Sequence, residues 1–334
     1  MIGSGERKDA DDTESREIGH AEDDMNSEKS AALGLDARSL AWMPIAAAFV
    51  SATLFSAKGI FAKKAYEAGA SPESLLALRF GFALPVFAVL AFSSYGGGTT
   101  RLSALTRRDW FLIAGLTGIG FFLSSLLDFH GLRYISVGLE RMILYSYPAL
   151  VVLLSAWLLR RPPGRLALAA LALSYAGLAL SFAGEAHITG TRALWIGGGL
   201  VFAAALLYAG FMVGAERVAK RIGSQRLSAL GMLLCALLYL PLALAREGTT
   251  VFHLRPEAYG WALLMAAFGT VAPVWLFAYA LRRIGAARLS VIGTAGAVAV
   301  LPLAALFLNE PAGPAQWGGF ALTVLGGMVL ARRG

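Results

Sequence analysis

Residues 132–162, LRYISVGLERMILYSYPALVVLLSAWLLRRP, lie without a gap on residues 281–311, LRRIGAARLSVIGTAGAVAVLPLAALFLNEP. At this offset of 149, Leu132-Arg133-Tyr134-Ile135 falls on Leu281-Arg282-Arg283-Ile284. Leu158-Leu159-Arg160-Arg161-Pro162 falls on Phe307-Leu308-Asn309-Glu310-Pro311, and Gly177 falls on Gly326. Nearer the start of each copy, Trp42 falls on Trp195 and Leu54 on Leu207, at an offset of 153. Single matches mean little in apolar sequence. A fixed offset held across two apolar runs and the loop between them indicates a duplicated unit.

Working outward from this pair, the chain divides into ten apolar runs: Trp42–Ala62, Pro72–Ser93, Trp110–Leu127, Val137–Leu159, Leu166–Gly184, Leu194–Gly214, Ser228–Leu244, Tyr259–Ala280, Leu289–Leu308 and Gln316–Ala331. Each is near the ~20 residues that a helix needs to span a bilayer. Barrel strands would alternate apolar and polar over ~10 residues, and these runs, dominated by Ala, Leu and Gly, do not. The predicted fold is therefore all-α and integral to a membrane, with two five-helix copies. Five is odd, so the second copy enters the membrane from the opposite side. Inverted-topology repeats of this kind characterise secondary transporters, whose site lies at the repeat interface. Residues 41–184 form the first copy and 185–334 the second.

Composition agrees. Of 334 residues, 57% are hydrophobic and 15% charged, where a soluble domain carries about 25% charged. The first 40 residues hold 11 acids and 5 bases and read as an acidic, disordered tail. It lacks the architecture of a signal peptide, and Met25 is an alternative start. The remaining positive charge sits in short loops. Loops after the even-numbered runs carry 15 bases and those after the odd-numbered runs 6. By the positive-inside rule, the even loops and both termini are cytoplasmic. The overall pI of 9.8 thus reflects topology, and no nucleic-acid partner is expected. The single cysteine, Cys235, excludes an internal disulfide. Four scattered histidines suggest no metal, and no Walker loop, zinc motif or nucleophile elbow is present. No cofactor is expected, and an enzyme is the less favoured class; a channel or scaffold is a further alternative.

The chain resembles the EamA branch of the drug/metabolite transporter superfamily from about Trp42 to Arg333. Ala70-Ser71-Pro72 with Leu75-Leu76-Ala77-Leu78-Arg79 is similar to the start of that family's second helix. Tyr147-Pro148-Ala149-Leu150 with Leu153-Leu154-Ser155 resembles its fourth helix, and Leu308-Asn309-Glu310 the acidic end of its ninth. The resemblance implies a ten-helix, basket-like transporter that moves small metabolites, often amino acids or drugs, outward. It also points to a bacterial inner membrane and leaves monomer and homodimer open. Two departures stand out: Arg160-Arg161 opposes Asn309-Glu310, and Ala297 opposes Pro148 while Pro302 lies five residues later.

A charge at membrane depth costs ~2.5–3.5 kcal/mol on insertion scales and is functional by default. Lys58, Arg79, Asp128, Glu140 and Arg141 qualify, all in the first copy; Phe211, Met232 and Leu289 stand opposite Lys58, Arg79 and Glu140. Glu140 is the first candidate for proton coupling; the alternative is an ion pair with Arg79, Lys58 or Arg141. Arg79 is suited to a substrate carboxylate or phosphate, or else pairs with Glu140. Lys58, about 6 Å from the end of its helix at 1.5 Å per residue, is expected to snorkel outward. Asp128, His130 and Arg133 are expected in a short outer loop. Pro148 should kink the fourth helix near mid-membrane. Tyr145 and Tyr147 beside it would stack on a substrate or simply pack between helices. Trp275, Thr294 and Gly296 are weaker candidates for lining a cavity. Glycines 115, 118 and 120, like 197, 198 and 199, are expected to let helices approach closely.

Overall fold

The computed structural model describes residues 37–92, 105–158, 164–189, 191–310 and 312–331. The acidic tail to residue 36, the Arg160-Arg161 pair and the terminal Arg332-Arg333 lie outside the described residues. The described chain is helical, with no strand among the described residues: α1 (Ala37–Glu67), α2 (Pro72–Phe92), α3 (Arg107–Thr117), α4 (Ser124–Gly131), α5 (Val137–Tyr145), α6 (Tyr147–Leu158), α7 (Arg165–Thr189), α8 (Thr191–Ile222), α9 (Ser224–Glu247), α10 (Pro256–Ala266), α11 (Ala272–Val298), α12 (Val300–Leu308) and α13 (Pro314–Ala331). Every apolar run is helical over its described residues apart from single turn residues, Ser146 in the fourth and Ala299 in the ninth. Seven stretches among them are long and apolar enough to cross a membrane: Trp42–Glu67, Pro72–Phe92, Arg107–Gly131, Val137–Leu158, Thr191–Glu216, Arg226–Phe252 and Pro256–Gly285.

Local chemistry sets the breaks. Gly69, at φ 92°, ends α1 in a left-handed residue that a side chain would strain. Ser71 Oγ then accepts the Ser74 N–H at 3.0 Å and starts α2. Thr106 and Asp109 form a reciprocal capping box on α3. Gly285, at φ 75° and ψ 166°, divides α11 into 272–284 and 286–298. Near Pro148 the fourth run breaks: α5 stops at Tyr145, Ser146 makes a turn and α6 begins at Tyr147. Ser146 Oγ donates to the Ile143 carbonyl at 2.6 Å, so this carbonyl does not face an open cavity.

Two π-helical turns interrupt the third and eighth runs, at Gly118–Leu123 and Ala267–Val271. They start 149 residues apart, the offset of the repeat, and both contain a matched glycine, Gly120 and Gly269. A hydroxyl-to-carbonyl hydrogen bond accompanies each, with the carbonyl in the first turn and the hydroxyl in the second. Tyr239 donates to Phe122 O at 2.5 Å, and Thr270 Oγ1 donates to Met265 O at 3.2 Å. A Cβ on Gly120 would collide with Phe211, and one on Gly269 would meet the Lys58 Cβ at 3.2 Å. Phe211 and Lys58 are themselves repeat counterparts, so one contact is the image of the other.

Helix pairing has the same symmetry. The principal partners are α2 with α9, α7 with α13, α1 with α10 and α11, and α8 with α4, α5 and α6. Taken run by run, the first run pairs with the eighth and ninth and the sixth with the third and fourth, and exchanging the two copies returns this set to itself. The α7–α13 seam is lined by small residues: a Cβ on Gly177 would lie 2.6 Å from Thr323 Oγ1, and one on Gly184 2.8 Å from the Ala315 Cβ. Gly197 and Gly198 allow similar approaches to Ile135 and Phe182, whereas Gly115, Gly118 and Gly199 face open space. The outer surface is strongly apolar; Phe111 is 79% exposed and Trp157 76%. Water would not tolerate such a surface on a monomer, and lipid accounts for it.

Candidate functional site

Arg79, Asp128, Glu140 and Arg141 are buried, and Glu140 is fully so. They converge from α2, α4 and α5, with Lys58 arriving from α1. Lys58 Nζ donates to Asp128 Oδ2 at 2.9 Å, with side-chain exposures of 16% and 5%. This corrects two expectations. Lys58 does not snorkel, and Asp128 is not in a loop. The helix expected to end at Leu127 continues to Gly131, and that extra turn aims the Asp128 carboxylate inward. Lys58 also lies over the Phe129 ring, 5.4 Å from its centroid. Arg141 and Glu140 are within electrostatic reach of this pair.

Glu140 is gripped by its neighbour. Arg141 Nε donates to Oε2 at 2.5 Å and Nη2 donates to Oε1, a bidentate fork. Arg141 Nη1 also donates to the Phe55 carbonyl of α1 at 3.3 Å. Of the three cations weighed as partners for Glu140, Arg141 holds it. Gly59 on α1 makes room, since a Cβ there would sit 3.5 Å from Glu140 Oε2 and 2.9 Å from Val137.

Arg79 does not pair with Glu140. Its Nε donates to Thr270 Oγ1 at 2.8 Å, reaching from the first copy into the π turn of the second. The guanidinium lies 4.8 Å from the Phe80 ring centroid and 5.6 Å from that of Phe129. Tyr239 stacks on Phe80 at 5.3 Å with 9° between the planes. Arg79 Nη1 is buried and has no hydrogen-bond partner among the described residues. Thr270 makes the side-chain hydrogen bond to this guanidinium, yet the eighth run gave it no prominence; its signal was a hydroxyl beside a repeated glycine.

Other expected residues lie apart. Tyr145 packs against the central core cluster, and Tyr147 meets Tyr208 edge-on at 5.3 Å. Trp275 is corrected: it is 62% exposed and faces out of the bundle. The side chain of Thr294 and the surroundings of Gly296 lie outside what the structure describes.

A second network closes one end of the bundle. Glu310 accepts from Lys63 Nζ and, at 2.9 Å, from the Val137 N–H. Glu185 accepts the Ser136 N–H and hydroxyl, both at 2.9 Å, and Gln316 Nε2. Glu247 accepts from the Ser71 and Ser74 hydroxyls, and Arg255 donates to the Ala68 and Glu67 carbonyls at 3.2 and 3.0 Å. His130 contacts Glu73 at 3.2 Å. These groups come from all five loops that follow odd-numbered runs, so those loops share a face. At the opposite end, Arg221 Nη1 donates to Asp109 Oδ1 at 2.7 Å, joining the loops after the second and sixth runs.

An all-helical bundle with a lipid-seeking exterior and a charged interior is an integral membrane protein built around a polar core. Comparison with known proteins supplies the family. The model of the EamA-like transporter family matches residues 42–183 and again residues 195–332, and the chain belongs to that family. It is 31% identical over 272 residues to the uncharacterized transporter YcbK of Bacillus subtilis (strain 168), covering 80% of this chain and 86% of that one. The uncharacterized transporter YetK of the same organism is 28% identical over 238 residues, 70% of each chain. One solved structure, a crystal structure of a protein 22% identical in sequence, gives a TM-score of 0.56 over 86% of this chain and 96% of its own. At that identity the likeness shows the fold alone. The protein is a membrane transporter rather than an enzyme; the bilayer and a small-molecule substrate are its partners.

Proposed function

We propose that the protein is a secondary-active transporter of small metabolites, amino acids or drug-like molecules among them. It exports them by alternating access between two inverted five-helix halves, residues 41–184 and 185–334. Residues 1–40 form an N-terminal tail; the membrane is the bacterial inner membrane, with both termini in the cytoplasm. The observation that carries this reading is the buried Arg79–Thr270 contact: a charged side chain at membrane depth in one half is held by the other half. Rocking of the halves breaks or remakes it. The matched π turns and the paired Gly120–Phe211 and Gly269–Lys58 contacts support the inverted arrangement.

Glu140 is the coupling group. A proton on it removes the charge that Arg141 grips and releases that guanidinium, whose Nη1 ties α5 to the Phe55 carbonyl of α1. The Glu310 and Glu185 network is the closed outer gate of this state. Tyr145, Tyr147 and the break before Pro148 give the fourth helix the hinge that such motion needs. The transporter works as a monomer or homodimer. Proteoliposomes loaded with a labelled metabolite panel under an imposed pH gradient test the proposal. Gradient-driven flux that Glu140→Gln abolishes, while leaving counterflow exchange, is expected. Full gradient-driven flux in the folded Glu140→Gln protein would sink the coupling role, and no flux of any panel member would sink the export reading.

A further inference from the structure

The charged cluster does not balance. Lys58 is matched by Asp128 and Arg141 by Glu140, which leaves Arg79 with no carboxylate in contact among the described residues; Asp128 acts on it only through space. Its Nε is satisfied by a neutral hydroxyl, Thr270 Oγ1. Its Nη1 is buried and finds no acceptor among the described residues, on a side chain of which only 6% of the residue surface is exposed. Guanidinium groups stay protonated even when buried, and a buried cation without a partner is unfavourable. The ring faces of Phe80 and Phe129, over which the guanidinium lies, soften the cost. They do not provide a hydrogen-bond acceptor for Nη1.

We infer that Arg79 is the receptor for a substrate carrying one net negative charge as a carboxylate, on an aromatic or aliphatic body. The inference rests on the transport reading and deepens it. One charge is missing from the cluster, so a monoanion completes it; a phosphate monoester, at about −1.5 to −2, overshoots. Nη1 offers the donor that a carboxylate oxygen accepts. Phe80, Phe129 and Tyr239 provide apolar walls around it, and these suit a hydrocarbon or aryl body better than a second charged group. A zwitterionic amino acid brings an ammonium that this cationic cluster repels. Arg79 bridges the halves through Thr270, so carboxylate binding acts at the contact that must change when the halves rock.

The test uses the full chain purified into nanodiscs at pH 7, with equilibrium binding and thermal unfolding read for phenylacetate, phenylacetamide, L-phenylalanine and phenyl phosphate. All four carry the same ring; the first is a monoanion, the second neutral, the third a zwitterion and the fourth carries about −1.5 to −2. Phenylacetate is expected to bind and to raise the unfolding temperature, with each of the others at least about tenfold weaker. Arg79→Gln, checked by size exclusion, should weaken phenylacetate by at least about thirtyfold, the factor for 2 kcal/mol lost at a buried charge pair; Arg79→Lys should retain part of it. Equal or tighter binding of phenylacetamide, absence of phenylacetate binding to the wild type, or undiminished binding to folded Arg79→Gln would overturn the inference. Should Arg79→Gln fail to fold, the wild-type comparison of acid with amide decides alone. Proteoliposomes separate the two proposals. Movement of phenylacetamide but not phenylacetate leaves transport standing and overturns the carboxylate assignment. Binding of phenylacetate with no movement of any probe does the reverse.

Discussion

Asp128→Asn isolates the best-defined ion pair in the core. The substitution keeps the shape and removes the charge that Lys58 answers at 2.9 Å. With side-chain exposures of 16% and 5%, solvent cannot replace it. Removing one partner of a buried pair costs about 3–5 kcal/mol in soluble proteins. In a bilayer the separated helix lets the lysine snorkel, which lowers the penalty of the unfolded reference and raises the effective loss, while residual partners there reduce it. A destabilisation of at least about 2 kcal/mol is therefore expected. Equilibrium unfolding of the purified protein in mixed detergent, followed by tryptophan fluorescence, measures it. The diagnostic is the double variant Lys58→Met with Asp128→Leu. Apolar replacement of a whole buried pair is near neutral or stabilising, so the double variant should be more stable than Asp128→Asn. Refutation would come from Asp128→Asn within about 0.5 kcal/mol of the wild type, or from a double variant less stable than the single.

Two further predictions follow from the geometry. Gly120→Ala drives a Cβ into Phe211 and should cost about 1–3 kcal/mol by overpacking; Gly269→Ala, whose nearest contacts are the Lys58 Cβ at 3.2 Å and the Met265 Cγ at 3.4 Å, should cost less, as the same unfolding assay would show. Glu310→Gln removes both the Lys63 ion pair and a charged acceptor for the first N–H of α5, with an expected loss of about 1 kcal/mol; hydrogen exchange at residues 137–140 should accelerate, and unchanged exchange would deny Glu310 its role at this face.

Much of the fold was legible because lipid imposes a strong rule: every backbone group in the hydrocarbon must be satisfied within a helix. Length and apolarity therefore locate Trp42–Ala62 or Pro72–Ser93 without further context, and the fixed offset of 149 exposes the duplication. Orientation about each helix axis was harder to read. A run apolar all round has no face to point inward, so nothing in Tyr259–Ala280 distinguished outward Trp275 from inward Thr270. Asp128 was misplaced because one added turn, from Leu127 to Gly131, decides whether its carboxylate meets lipid headgroups or Lys58. The π turns leave no mark in hydropathy; their only trace was the pairing of Gly120 with Gly269. The charged positions Arg79, Glu140 and Arg141 were conspicuous, but their partners depended on tertiary packing. Arg141, adjacent in sequence, took Glu140, and a neutral threonine from the other half took Arg79.

Everything proposed for transport stands on two copies inserted in opposite senses, and sidedness tests that directly. Arg133 and Arg282 occupy equivalent positions and are both exposed. With Cys235, the single native cysteine, replaced by alanine, a cysteine is placed at 133 in one chain and at 282 in another. Intact cells are then treated with a membrane-impermeant maleimide. The inverted arrangement predicts labelling of position 133 from outside and of position 282 only after the membrane is opened. Labelling of both from the same side would contradict it.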